Sequence, residues 1–349
     1  MIAHPDLPKE KENNFIAVTL FFICKFALPT AIGILFSREM KINGTTIGLG
    51  ENKRVNLNVY YLPTGAKMEI PVYVYCSNKK GPTALFMAGM HGDEINGIEI
   101  LRNLLKEKYF EKLECGNVIA IPIVNVASFL NRNRELPDGR DLNRCFPGTK
   151  RGSLGSRIAY DMMHKIIPMI DFGVDFHTGG HEINNYPQAR CVFGEPQSVE
   201  LAKAFGSPFI LNSPFRDKSL RKEASRLGKP ILVYESGESN RFNSIGIKEG
   251  INGCLRLMKN LKMLDVATPK SQSITLNGSK WIRAKISGLF RTTKKFGTFV
   301  EKDQVIGTVS SPYAEIDKQL VAPSDGFLIG INNKPVVNEG DALIHIGTE

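Results

Sequence analysis

Short continuous apolar runs alternate with amphipathic stretches from Met40 to about Lys270. Val55–Tyr60, Val72–Tyr75, Ala84–Met87, Val118–Val124, Gly173–Phe176 and Ile231–Tyr234 read as strands. The run Thr83–Met90 is apolar almost without interruption and too short for a core helix, so it reads as a parallel strand buried on both faces. Between the runs, Asn96–Tyr109 carries Ile98, Leu101, Leu104 and Leu105 on one helical face, and Ser156–Ile167 reads as a second helix. Strands alternating with helices predict an α/β sheet covered by helices.

The texture changes after Pro269. Residues 271–349 show short alternating runs broken by turns at Gly288, Gly297, Gly307, Pro323-Ser324-Asp325-Gly326 and Glu339-Gly340-Asp341. This predicts a small all-β domain behind a linker at Pro269–Ser273. The expected organisation is therefore an extension over 1–39, a main domain over 40–270 and a β domain over 271–349. In the extension, residues 15–36 are strongly apolar. Lys25 and Pro29 interrupt them, and the preceding residues are net acidic, both poor features for a secretory signal. Met40 looks like a natural start, so residues 1–39 are expected to be an over-extended start that is never translated. The alternative is a membrane anchor through 15–36.

Composition narrows the function. The 349 residues are 42% apolar and 23% charged, ordinary for a globular protein. Net charge is +10, and residues 1–270 carry most of it, with 36 basic against 27 acidic residues. The basic residues form no block and do not interleave with aromatics, which argues against a nucleic-acid partner. A basic main domain suits an anionic substrate, although on charge alone general surface charge for solubility is the better account. The six cysteines, Cys24, Cys76, Cys115, Cys145, Cys191 and Cys254, form no CxxC pair. That excludes a disulfide framework and a cysteine zinc site, and it fits a reducing cytoplasm.

Candidate chemistry begins at His91-Gly92-Asp93-Glu94, directly after the Thr83–Met90 run. If the turn there becomes helical, the His-x-x-Glu spacing brings an imidazole and a carboxylate to one point. His177 ends a second apolar stretch, Val174-Asp175-Phe176-His177. Two His and one Glu make the three-ligand set of a catalytic zinc, with the fourth position open to water. Taken singly, each has a plainer reading, as a solvated helix start or a hydrogen-bonded core histidine. Their shared position at strand C-terminal ends is where open α/β sheets place active sites.

Residues 131–148 should form a loop over that site. Its several Arg and Asn suit a fork for a carboxylate, which guanidinium matches bidentately. Arg132 and Arg140 fit a solvated loop closed by the Pro137-Asp138-Gly139 turn, whereas Asn143-Arg144 does not. Glu235 ends the run Ile231–Tyr234, which makes it a candidate general base beside an activated water. Glu238 ranks behind it, beyond the Gly237 turn.

The order His91/Glu94, Arg134, Asn143-Arg144, His177, Glu235 resembles the succinylglutamate desuccinylase/aspartoacylase family of zinc carboxypeptidase-type hydrolases. The resemblance spans roughly residues 45–265 and rests on HGDE, LPDGRDLNRCFPG, DFHTGG, NNYPQARC and YESGE. It implies a mixed central sheet with helices on both faces and one Zn2+ per chain, held by His91, Glu94 and His177. It also implies Glu235 as general base, Arg134 polarising the scissile carbonyl, and Asn143 and Arg144 holding the substrate carboxylate. Arg190 and Arg221 look similar to further substrate-side arginines.

The terminal domain resembles a barrel-sandwich of the biotinyl/lipoyl kind, with Glu315-Ile316-Asp317-Lys318 near the place of the carrier lysine. Gln319 departs from the usual Ala, and a hydrolase needs no swinging arm. The domain is therefore expected to shield the cleft, narrow access to it or form a homo-oligomer contact. The expected activity is cytoplasmic deacylation of a small anionic N-acylated substrate. The alternatives are a carboxypeptidase, an esterase or a catalytically silent binding protein.

Overall fold

The computed structural model describes residues 40–61 and 64–349. The extension 1–39, with its apolar stretch 15–36, lies outside the described residues. Among those described, no helix is long and apolar enough to cross a membrane.

The chain opens with β1 (Met40–Ile42), β2 (Thr45–Ile47), β3 (Asn52–Tyr61), β4 (Lys67–Cys76) and β5 (Thr83–Ala88). Next come α1 (Ile95–Lys106), β6 (Asn117–Ile121), α2 (Val126–Asn131), α3 (Leu154–Asp161), β7 (Phe172–Gly179) and β8 (Ile183–Cys191). The main domain closes with α4 (Pro196–Phe205), β9 (Phe209–Asn212), α5 (Leu220–Arg226), β10 (Ile231–Glu238) and α6 (Ser244–Asn260). The rest is all β: β11 (Ile274–Leu276), β12 (Gly278–Arg283), β13 (Gly288–Thr292), β14 (Phe299–Val300) and β15 (Val305–Ser310). It ends with β16 (Asp317–Val321), β17 (Gly326–Asn332), β18 (Val336–Val337) and β19 (Ala342–Thr348).

The central sheet is mixed, as the family resemblance implies. β10, β7, β5 and β6 lie side by side and parallel, flanked by antiparallel β8 on one side and β4 and β3 on the other. All of β5 is buried, and its side chains alternate between two cores. Leu85 and Met87 pack on one face with Ile119, Ile121, Ile158 of α3 and Leu220 of α5. Ala84, Phe86 and Ala88 pack on the other with Ile100 and Leu104 of α1 and Leu257 of α6. Fully burying a side chain such as Phe86 is worth about 1.5–3 kcal/mol, so helices on both faces stabilise the strand that leads into the site.

Element ends differ from the sequence reading for local reasons. β6 stops at Ile121 because Pro122 has no N–H to offer a ladder. α1 stops at Lys106, and Lys108 takes a left-handed φ of 56° before a short 3-10 turn over Tyr109–Lys112. The helix expected over Ser156–Ile167 begins earlier, at Leu154 behind the Ser153 cap, and widens into a π turn over Met162–Ile166.

The terminal strands do not hang behind a free linker. β17 pairs antiparallel with β8, and β11 pairs parallel with β9, so the central sheet runs on into the β region. β19 and β12 continue it beyond β17. A second sheet, β16-β15-β13-β18, packs over β17 and β19 around Phe290, Ile306, Leu328 and Ile344. Lys318 lies within β16, paired with Val309, rather than at the tip of a turn.

Candidate metal centre and active-site cleft

The site starts where β5 ends. Gly92 touches the backbone of α2 so closely that a Cβ there would lie 2.0 Å from the Ser128 carbonyl carbon. Only glycine fits, and the contact pins the His91–Glu94 turn. The segment does not become helical as expected. His91 to Asp93 form a turn, and Glu94 takes the N-cap position of α1 without capping it by its side chain. Its carboxylate is employed elsewhere.

Glu94 bridges the two histidines. His91 Nδ1 lies 2.7 Å from one of its oxygens and His177 Nδ1 lies 2.8 Å from the other. Thr178 N–H donates to the same oxygen as His177. Ligand atoms from His91, Glu94 and His177 all fall within 4.8 Å of one another, and all three residues are buried. Each imidazole is held from behind by a carboxylate: His91 Nε2 by Asp141 at 3.0 Å, and His177 Nε2 by Asp175 at 2.9 Å. That arrangement fixes ring orientation and points Nδ1 inward, as in carboxylate–histidine–metal sites.

The electrostatics agree. Burial opposes charge on His177, yet Asp175 and Glu94 outweigh it and raise its pKa well above the ordinary imidazole value. Burial likewise opposes ionisation of Glu94, and the two histidines hold its pKa well below the usual range. Asp141 is pushed down despite burial by His91 and Arg134. Three clustered carboxylates thus demand positive charge, and Arg134 already answers, donating to Glu94 at 3.1 Å and to Asp141 at 2.9 Å. Two imidazole nitrogens and a carboxylate, oriented by hydrogen bonds and set in a negative field, fit a zinc ion.

Glu235 enters from β10, directly beside His177 in the parallel ladder. Arg190 on β8 pairs with one of its oxygens at 2.8 Å, and Asn185 Nδ2 donates to the other at 2.7 Å. A bulge follows Glu235, where Gly237 adopts a φ of 80° that favours glycine.

All the sequence-predicted residues line one cleft of about 540 Å3: His91, Glu94, Arg134, Asn143, Arg144, His177, Arg190, Arg221 and Glu235. They arrive there differently. Arg144 is exposed on the rim, with Nη1 on the Asn143 carbonyl, and among the described residues it has no acidic partner. Asn143 uses its Oδ1 to accept from Leu220 N–H at 3.0 Å. Arg221 is buried and donates to the carbonyls of Arg190, Ser213 and Pro214. Burial and the neighbouring Arg190 bring its pKa down to about 10.

Sequence reasoning gave no role to Asp141, Asp175 or Asn185, and it named no individual cleft residue in the terminal strands, although it expected that domain to shield or narrow the cleft. Asp175 was within reach, because Asp-x-His on a strand points both side chains to one face. Ser279, Trp281 and His345 from β12 and β19 complete the wall. We expect Asp175→Asn to weaken zinc binding about 10- to 100-fold, the usual effect of losing a partner behind a ligating histidine. Competition with a fluorescent chelator measures it, and unchanged affinity would exclude the orienting role.

A cleft at strand C-terminal ends that gathers buried imidazoles, carboxylates and guanidiniums has the makings of a hydrolase site. Comparison with known proteins agrees. The model of the succinylglutamate desuccinylase/aspartoacylase catalytic domain matches residues 80–261. A curated relative, N-alpha-acetyl-L-2,4-diaminobutyric acid deacetylase of Halomonas elongata, is 31% identical over 297 residues, which cover 80% of this chain and 85% of the relative. The solved succinylglutamate desuccinylase/aspartoacylase of Rhodobacter sphaeroides superposes with a TM-score of 0.77 at 26% identity, covering 87% of this chain and 97% of that one. The product-bound ectoine utilization protein EutE (DoeB) of Ruegeria pomeroyi shares the fold, with a TM-score of 0.76 at 22% identity and coverage of 85% and 95%. The chain belongs to the succinylglutamate desuccinylase/aspartoacylase family and is a hydrolase of the deacylase kind.

Proposed function

We propose that this protein is a zinc-dependent deacylase that hydrolyses the amide bond of a small, carboxylate-bearing N-acyl amino acid. The convergence of His91, Glu94 and His177 within 4.8 Å, in the same cleft as Glu235, carries the reading. Those three residues would hold Zn2+, which when bound supplies Lewis acidity for the attacking water and the scissile carbonyl.

The chain's own groups do the rest. Glu235, oriented by Arg190 and Asn185, takes the proton of the attacking water and returns it to the leaving amine. Arg134, at the edge of the cluster, faces the carbonyl oxygen as negative charge builds on it. Arg144, free of an acidic partner among the described residues, receives the substrate carboxylate beside Asn143. Arg190 serves chiefly by holding Glu235, and Arg221 by bracing the chain under the cleft. A cytoplasmic location and a homo-oligomeric contact through the terminal strands remain part of this proposal. A carboxypeptidase reading is less well supported, since strands β12 and β19 wall the cleft against a long peptide.

The test is a hydrolysis screen with zinc-loaded protein over N-acetyl, N-succinyl and N-formyl amino acids. N-acetyl-2,4-diaminobutyrate belongs in the panel because of the Halomonas relative's name. Turnover of at least one of these is expected, and failure on all of them at stoichiometric zinc rejects the deacylase proposal.

A further inference from the structure

The wall contributed by the terminal strands holds a histidine for which the hydrolysis has no use. His345 on β19 lies opposite Trp281 on β12, and their rings stack at 4.5 Å with planes 5° apart. The indole backs one face of the imidazole and fixes its plane. His345 is only 6% exposed, yet it lines the cleft. Its Nδ1 is enclosed and has no hydrogen-bond partner among the described residues. Leaving such an atom unpaired is costly, so its retention asks for a reason.

Burial, and after it the charge of Arg190, pushes the imidazole down to about 3, so the ring is neutral at any ordinary working pH. A neutral imidazole carries one N–H and one lone pair. An enclosed orphan N–H is worse tolerated than an enclosed lone pair. The proton therefore belongs on Nε2, which is not among the enclosed unpartnered atoms; since His345 lines the cleft, Nε2 is the nitrogen available to a ligand there. His345 is then a fixed hydrogen-bond donor. Gly330 on β17 keeps it close to the catalytic side: a Cβ there would lie 2.9 Å from His345 Cβ and 3.1 Å from Asn185 Oδ1.

We infer that His345 is a specificity-determining residue whose Nε2–H donates to an oxygen on the substrate's side chain, beyond the scissile amide. A donor beside Arg190 favours a carbonyl, carboxylate or hydroxyl oxygen and disfavours an ammonium group. This inference rests on the deacylase reading of the site.

The experiment compares kcat and KM for N-acetylglutamine, N-acetylnorleucine and N-acetyl-2,4-diaminobutyrate, with zinc content measured in parallel. Wild type should prefer the glutamine derivative over both others. His345→Phe keeps a flat ring on Trp281 but removes the donor, and should lower the glutamine-to-norleucine ratio of kcat/KM about tenfold, mainly through KM. His345→Gln restores an N–H donor and should fall between the two, which also guards against a Phe variant that folds poorly. An unchanged ratio in both variants, or an equal loss on all three substrates, overturns the inference while leaving the deacylase reading intact. If zinc-loaded wild type cleaves no N-acyl amino acid, both fall together.

Discussion

Glu235→Gln should lower kcat about 10²- to 10⁴-fold, the range typical for loss of a general acid–base group, with KM and zinc content close to wild type. The substitution is nearly isosteric and removes only the ability to accept and return a proton. Arg190 can still donate to the amide oxygen. The new amide N–H2 would oppose Asn185 Nδ2, now 2.7 Å from the carboxylate. Asn185 Oδ1 is buried without a partner among the described residues, so rotating that amide by half a turn restores a hydrogen bond. The variant should therefore fold, bind metal and fail only in turnover. Steady-state kinetics with metal analysis decide it: full activity in a zinc-loaded Glu235→Gln protein means that another group is the base.

Removing a ligand should have the larger effect on the protein itself. With the proposed Zn2+ loaded, His177→Ala is expected to lose nearly all of it, and activity with it; His91→Ala should do the same. Stability should suffer too, and more in the apo protein. Taking away His177 leaves Asp175 buried without the group that compensates it and strips Glu94 of one of its partners, and breaking a buried charged pair from one side costs about 3–5 kcal/mol. Thermal unfolding of apo variants reads the structural cost, and metal analysis reads the ligation. Zinc content unchanged in both variants would sink the ligand assignment.

The parts of this site that the sequence made legible are those attached to regular patterns. β5 and the first half of β10 are continuous apolar runs, so His91 and Glu235 could be placed on the sheet without knowing the fold, although β10 continues past Glu235 to Glu238. β8 shows why the rest was hidden. Its cleft-lining residues are Ile183, Asn185 and Arg190, so no apolar alternation marks it. Pro187 in its middle argues against a central strand on local grounds. The structure accommodates that proline where the register between β8 and β10 shifts, in the same bulge that aims Glu235. Asp141 was invisible for another reason. It meets His91 across 50 residues of chain, and no local spacing encodes that contact. The pairing of β17 with β8 is equally non-local, so the terminal domain read from texture alone looked detachable.

That pairing has a consequence for how such a protein can change over generations. The terminal strands join the sheet beside Asn185 and also form a wall of the cleft. A lineage that exchanged them as a cassette, by recombination near residue 270, would bring in a new sheet edge and a new pocket wall at once, with the old β8 unmatched to both. Domain shuffling is therefore a closed road. Diversification of substrate range is left to single substitutions on β12 and β19, each screened first by whether the common sheet still closes.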